Sequence, residues 1–423
     1  MRLRLASLVI GLMLAACSPR TEKQTVISFW ALGHEAELVV QMLPEFERTH
    51  PGVKVQVQQL PWTAAHEKLL TAFAGDAMPD VAQMRNTWIP EMAALRSLEP
   101  LDPWIARSTV VNPADYFSGI WDTNVIDGVT QGVPWYVDTR LLFYRHDLLA
   151  QAGFNAPPKT WDEWRAMMQA IQARATPQQH ALLLPTNEYD PLIALALQQS
   201  DPMLREQMSR GNFSSPGFRR ALSFYAEIFA KGWAPGVTNN QIANVWNEFG
   251  RGSFVFYISG PWNIEEFKRR LPPEQQSSWM TAPLPGPDGP GASSAGGSSL
   301  VVFRSSRHKP EAWALIEYLS TPAQQLRFHA ISDNLPPRRS AWADPRLAAD
   351  VYARAFRDQL ERAKPAPAVP EWERIANELQ LTAARVVGNG ESIDAATREL
   401  DARVDGFLEK RRWMLAQRAK AQP

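Results

Sequence analysis

The sequence predicts an α/β protein of two lobes. Strand-like and helix-like segments alternate from Thr25 onward, a pattern that lays helices on a parallel sheet. The chain has 423 residues, too many for one core and suited to two domains. Late in the chain a stretch rich in Pro, Gly and Ser gives way to strand again, so the two lobes share a hinge.

Residues 1–16 stand apart from the fold. Arg2 and Arg4 precede an apolar run and then small residues, the pattern of an export leader, too short to span a membrane. Leu14-Ala15-Ala16-Cys17 resembles the lipobox of bacterial lipoproteins, which implies that Cys17 becomes a lipid-modified first residue. The expected location is therefore the periplasmic side of the cell envelope, with a soluble body tethered to a membrane. Cys17 is the only cysteine, which excludes disulfides and cysteine-based metal sites; no cofactor or metal is expected.

The mature part opens with TVISFWAL, Thr25 to Leu32, a strand by its β-branched and aromatic content. From Glu35, the residues Leu38, Val39, Met42, Leu43 and Phe46 recur at helical spacing until His50-Pro51-Gly52. VKVQVQQL alternates with period two, a helix follows near Ala64 to Ala74, and a strand runs from Asp80 to Met84. QGVPWYVDTRLLFYRHDLL, Gln131 to Leu149, has the apolar content of a buried strand with polar and aromatic groups threaded through it. Helices are expected at Trp161 to Ala173, capped by Thr160, at Pro216 to Lys231 and at Asn240 to Gly250. Pro283 to Ser299 reads as a loop, Leu300 to Phe303 as strand and Lys309 to Leu319 as helix. From Pro370 the tail reads as two helices separated by Gly388-Asn389-Gly390.

Composition narrows the function. Apolar residues make up 45% and charged residues 21%, as in a globular protein. Lys plus Arg equals Asp plus Glu at 44 each, so no basic surplus points to nucleic acid. The 16 Trp are an excess, and a Trp ring offers its flat apolar face to a ligand as readily as to a core.

Several motifs in order resemble one family. ISFWALGHE with HPGVKV, LLTAFAGDAMPDV, GVPWYVDTRLLFYRHDLL with PPKTWDEW, GRGSFVFYISGPW, GGSSLVVFRSS with KPEAWALIEYLSTPAQQ, NLPPRRSAW, and PAVPEWERI with GNGESIDAA follow one another along nearly the whole mature chain. Together they resemble the extracellular solute-binding proteins of bacterial ABC sugar importers, the group that contains maltose- and trehalose-binding proteins. The resemblance implies the type II periplasmic-binding-protein fold, whose lobes close on ligand about crossing strands. It places residues 17–136 and 301–337 in the first lobe and 138–299 and 340–420 in the second, with crossings near the Gln131–Leu149 stretch and near Ser299 to Phe303. It implies a monomer without catalytic activity that delivers a sugar, such as trehalose or maltose, to a permease and its ATPase.

A sugar presents hydroxyls at its rim and C–H patches on its faces, so its site needs charged or amide hydrogen-bonding groups and aromatic rings. Glu35, after the WALGH turn, is either a hydroxyl acceptor or a helix N-terminal charge. Trp62 stands at a strand-to-helix junction, where its ring reaches the cleft or covers the sheet edge. Arg85 and Asn86 occupy positions where many relatives carry an acid, a departure that alters the pocket's hydrogen bonding. Period-two alternation turns Tyr136, Asp138 and Arg140 to one side, and the resemblance puts Tyr136 and Asp138 beside ligand at the hinge. Arg140 either reaches ligand or pairs with Asp138. In the second lobe, Trp262 after Gly260-Pro261 matches a sugar-stacking position, and Trp246 is a weaker aromatic candidate. Gly296 and Gly297 let backbone approach a ligand, and Arg338 is a further candidate donor.

Two other functions compete. Arg85, Arg140 and Arg338 could meet a sugar phosphate or phosphorylated polyol, although no Gly-rich phosphate loop opens a helix here. Glu35 and Asp138 could serve an exported glycoside hydrolase as its carboxyl pair, although no hydrolase motif accompanies them. The basic tail after Glu409 either touches a membrane surface or complements a helix C-terminus.

Overall fold

The computed structural model describes residues 24–421; the leader and Cys17 lie outside them. The principal strands are β1 (Thr25–Leu32), β2 (Val53–Leu60), β3 (Val81–Arg85), β4 (Val133–Asp138), β5 (Leu141–Arg145), β6 (His180–Leu183), β7 (Phe254–Ser259), β8 (Trp279–Ala282) and β9 (Gly296–Val302). They make two sheets, ordered β2-β1-β3-β9-β4 and β8-β5-β7-β6. In the first sheet β1 runs parallel to β2 and β3, while β9 lies antiparallel between β3 and β4. Strand β2 alternates between half-buried valines and exposed Lys54, Gln56 and Gln58, as an edge strand should. Strand β1 is buried along most of its length because it is covered on both faces.

The helices cover these sheets. The single helix expected from Glu35 is two, α1 (Gly33–Val40) and α2 (Leu43–Thr49). Pro44 sits at the second position of α2, where its missing N–H does no harm, but it could not continue a helix begun at Gly33. Next come α3 (Trp62–Ala74) and α4 (Trp161–Gln172). Thr160 caps α4 as expected, its hydroxyl accepting the Glu163 N–H at 3.1 Å. They are followed by α5 (Asp190–Leu197), α6 (Pro216–Ala230), α7 (Val245–Arg251) and α8 (Asn263–Arg270). The helix expected from Asn240 starts only at Val245, capped by Asn244. Last come α9 (Lys309–Ser320), α10 (Pro322–Ser332), α11 (Trp372–Asn389), α12 (Ile393–Phe407) and α13 (Glu409–Ala421). The tail thus makes three helices, with the last break at Leu408. Among the described residues no helix is long and apolar enough to cross a membrane.

Three short passages join the sheets. Thr139 and Arg140 link β4 to β5, Ala295 leads into β9, and the Leu335 carbonyl accepts the Val137 N–H at 2.9 Å. The second crossing therefore falls at Gly296, and Ser299 to Phe303, expected to cross, lie wholly buried within the first sheet. Two glycines make this possible. At Gly297, φ is +120°, and a Cβ would sit 2.3 Å from the Tyr136 carbonyl oxygen. One apolar cluster spans the hinge, packing Phe117 and Val137 with Phe143, Trp279, Trp342 and Phe356.

Candidate functional site

A cavity of about 330 Å³ opens where the crossings meet the carboxyl ends of β1 and β3. This is where open α/β sheets present ligand sites. The first lobe contributes Glu35, Trp62, Arg85 and Asn86; the crossings contribute Tyr136, Asp138, Arg140, Gly296 and Gly297; the second lobe contributes Trp262.

Local sequence explains these placements. Gly33 turns the chain out of β1 with φ +50°, and a Cβ there would lie 2.6 Å from the Trp62 ring, so the glycine makes room for the indole. Trp62 is 38% exposed and Trp262 41%, the condition of rings with a face left over for something else. Gly260 does for Trp262 what Gly33 does for Trp62, since a Cβ would meet its ring at 2.0 Å. Glu35 accepts from the Tyr136 hydroxyl at 3.2 Å and from the Asn334 amide at 3.4 Å. The Asn86 Oδ1 accepts from the Ser299 hydroxyl at 3.1 Å, while its buried Nδ2 has no partner among the described residues.

Charge is organised around Arg140. Its guanidinium donates to Asp138 at 2.7 Å and to Asp190 at 2.9 Å, and lies 4.6 Å over the Trp262 ring. Burial pushes the Asp138 carboxyl above the usual carboxylate range, against the pull of Arg140 and with the help of neighbouring Asp190. Arg85 has no carboxylate within ion-pair distance among the described residues. Burial opposes its charge, but Tyr189, Asp190, Glu373 and Asp138 around it hold the guanidinium firmly protonated. Burial also raises the Tyr136 hydroxyl well above its usual value, and the Glu35 charge adds to this.

Two candidates lie elsewhere. Trp246 is outside the cavity, its Nε1 donating to Asn263 at 2.8 Å and its ring covered by Arg270 at 4.2 Å. Arg338 is buried and engaged within the protein, pairing with Asp115 at 2.6 Å and donating to the carbonyls of Val110 and Ser320. Conversely, Tyr189, Asp190, Asn334 and Trp372 line the cavity without having been singled out. Asp190 follows the second-lobe strand β6 and opens α5 just before Pro191, a polar helix start at a strand end; that signal was readable. Trp372 carried no local mark beyond its position in PAVPEWERI.

The arrangement offers carboxylate acceptors, amide and guanidinium donors and two partly open indole faces. Among the described residues no group of three or more His, Cys, Asp or Glu could hold a metal ion. Residues 32–326 match the family described as bacterial extracellular solute-binding protein. The chain belongs to that family.

Among solved structures, this solute-binding protein is similar to the sugar-binding protein MalE from Xanthomonas citri, with 56% identity and a TM-score of 0.91 over 93% of this chain and 100% of that one. A putative binding protein of Brucella abortus is 26% identical, over 86% of this chain and 88% of its own length. The galactooligosaccharide-binding protein of Bacillus subtilis is 22% identical, over 92% of this chain and 93% of its own length. The two-lobe α/β architecture of the solute-binding protein is that of its structural neighbours.

Proposed function

We propose that this solute-binding protein captures a neutral carbohydrate in the inter-lobe cleft and delivers it to the permease and ATPase of an ABC importer. The ligand in this reading is an α-linked disaccharide such as trehalose or maltose. One observation carries it: two partly exposed indoles, Trp62 and Trp262, border a cavity whose polar lining is rich in carboxylate acceptors, Glu35, Asp138 and Asp190. Indole faces suit sugar C–H patches, and carboxylates suit hydroxyl donors. The 56% identical MalE of Xanthomonas citri, named as sugar-binding, supports the same class. In this reading Cys17 carries the lipid that holds a monomeric body at the periplasmic side of the membrane, and the protein has no catalytic role.

Arg85, with no ion pair among the described residues, favours an anionic ligand such as a sugar phosphate, yet the rest of the lining opposes it. Arg140 is neutralised twice over, Arg338 is elsewhere, and three carboxylates face two guanidiniums. A phosphate would enter a site with a net negative lining.

Calorimetric titration against trehalose, maltose and their phosphates tests the reading, with saturable binding of a neutral disaccharide expected. Tighter binding of a phosphate than of its parent sugar would overturn it. Release of glucose from maltose or trehalose by the pure protein would replace it with hydrolysis.

A further inference from the structure

A buried residue beneath the cavity has no part in the site as described so far. Gln83, on β3, is 0% exposed and does not line the cleft. A fully buried amide has to find partners for both its oxygen and its nitrogen, and the partners here fix which way it faces. The Leu32 N–H, which can only donate, points at the Gln83 Oε1 from 2.8 Å. The Gln83 Nε2 is thereby turned to the Tyr136 hydroxyl at 3.1 Å and the Ser298 hydroxyl at 3.2 Å.

The direction propagates. Tyr136 accepts from Gln83 and also from Ser298, whose Oγ is 3.1 Å away. Its own hydrogen goes to Glu35 Oε1 at 3.2 Å, where the Asn334 amide adds a second donor at 3.4 Å. Glu35 Oε1 thus receives two donors, while Oε2 has no hydrogen-bond partner among the described residues, and Glu35 lines the cavity. We propose that Gln83 is a positioning residue that, through the Tyr136 hydroxyl, holds Glu35 as an obligate hydrogen-bond acceptor facing the ligand. The proposal rests on the carbohydrate reading only for the identity of that ligand. Its consequence is a specificity: the ligand group at Glu35 has to be a donor, such as a hydroxyl.

The test is a double-mutant cycle of Gln83→Met and Tyr136→Phe with two readouts. The first needs no ligand: the carbon-13 chemical shift of the Glu35 carboxyl at one fixed neutral pH in the free protein, which reports the donors on that carboxylate. Each single variant is expected to move this resonance in the same direction, and the double variant no further. A role for Gln83 in strand packing alone would leave that resonance where it is. The second readout is affinity for maltose and trehalose, expected to fall about tenfold in each single variant and no more in the double. An unmoved Glu35 carboxyl resonance in Gln83→Met, or full additivity with Tyr136→Phe, overturns the proposal. A moved resonance in a protein that binds neither sugar leaves it standing and overturns the carbohydrate reading instead. Where Gln83→Met does not fold, Gln83→Glu carries the same cycle, and only the part of its shift that vanishes in the Tyr136→Phe background counts.

Discussion

On the first-lobe side the cleft is organised by neutral donors running from Gln83 through Tyr136 to the single charge of Glu35, whereas on the second-lobe side it is organised by an ion cluster, with Arg140 held between Asp138 and Asp190. The first set is sealed under the sheet, with Gln83 and Ser298 fully buried and Tyr136 nearly so. The second is partly wetted, with side-chain exposures of 13% for Arg140, 32% for Asp138 and 21% for Asp190. The buried neutral groups Gln83, Tyr136 and Ser298 offer nothing for salt to screen, while a half-wet ion cluster is screened by salt and retitrated by pH. One wall is therefore a fixed template, and the other is tuned by solution conditions and joins strand β4 to the helix start at Asp190.

Removing the centre of the charged wall should have the largest effect. Arg140→Ala leaves two partly buried carboxylates facing each other and is expected to lower stability by about 3 kcal/mol. Urea unfolding measures this, and the deficit should shrink in high salt; a salt-independent loss would show that Arg140 acts by packing instead. Next, Trp262→Ala removes the ring over Arg140 and an open indole face, with an expected loss of about tenfold in sugar affinity and little change in melting temperature. Calorimetry decides it, and unchanged affinity would move the stacking face to Trp62.

A third test probes a charge at the border of the neutral wall. Asp333 precedes Asn334, which bonds Glu35, and follows α10 with φ +60°. Burial, and then the charges of Glu265, Asp350 and Glu266, push its carboxyl up to about 6, with Lys268 pulling the other way. The folded protein thus keeps a proton that the unfolded chain releases near 3.8, so stability falls as pH rises from about 4 to about 6. Asp333→Asn should be the more stable protein by about 1 kcal/mol at about pH 8 and equal to wild type below about pH 4, after allowance for partial exposure. Asn also suits the left-handed backbone there. Thermal melts at the two pH values check this, and a gain of the same size at both would assign it to the backbone alone. The smallest effect is expected of Trp246→Ala, whose ring pairs with Asn263 and Arg270 outside the cavity; sugar affinity should not change, and a drop would mean that closure brings this ring to the ligand.

Much of the candidate site was legible because its residues sit at the ends of locally recognisable elements. The period-two run through Tyr136, Asp138 and Arg140 put all three on one side, and all three line the cavity. Gly260 and Gly33 flagged sharp turns beside aromatic rings. Arg338 and Trp246 lie outside the cavity, which the sequence could not show because a lone Arg or Trp looks alike whether its partners are a ligand or the protein, and those partners lie up to 228 residues away in the chain. Trp372 was passed over for the converse reason, since nothing near it in sequence tells of the distant strands it faces, whereas Asp190 carried a readable mark as a helix start at a strand end.

By itself the sequence determined the alternation of most strands and helices, the Thr160 cap, the turns at Gly33 and at Gly260-Pro261, and the resemblance to the family. Such features depend on interactions within a few residues, where side-chain period and backbone preference are read directly. Only the tertiary structure decided that β9 enters the first sheet at Gly296, that Arg140 is spent on two acids while Arg85 is not, and that the hydrogen bond from Leu32 fixes Gln83 and so orients Glu35. These are questions of which donor meets which acceptor across distant segments, and buried polar groups are matched by geometry in three dimensions rather than by spacing along the chain.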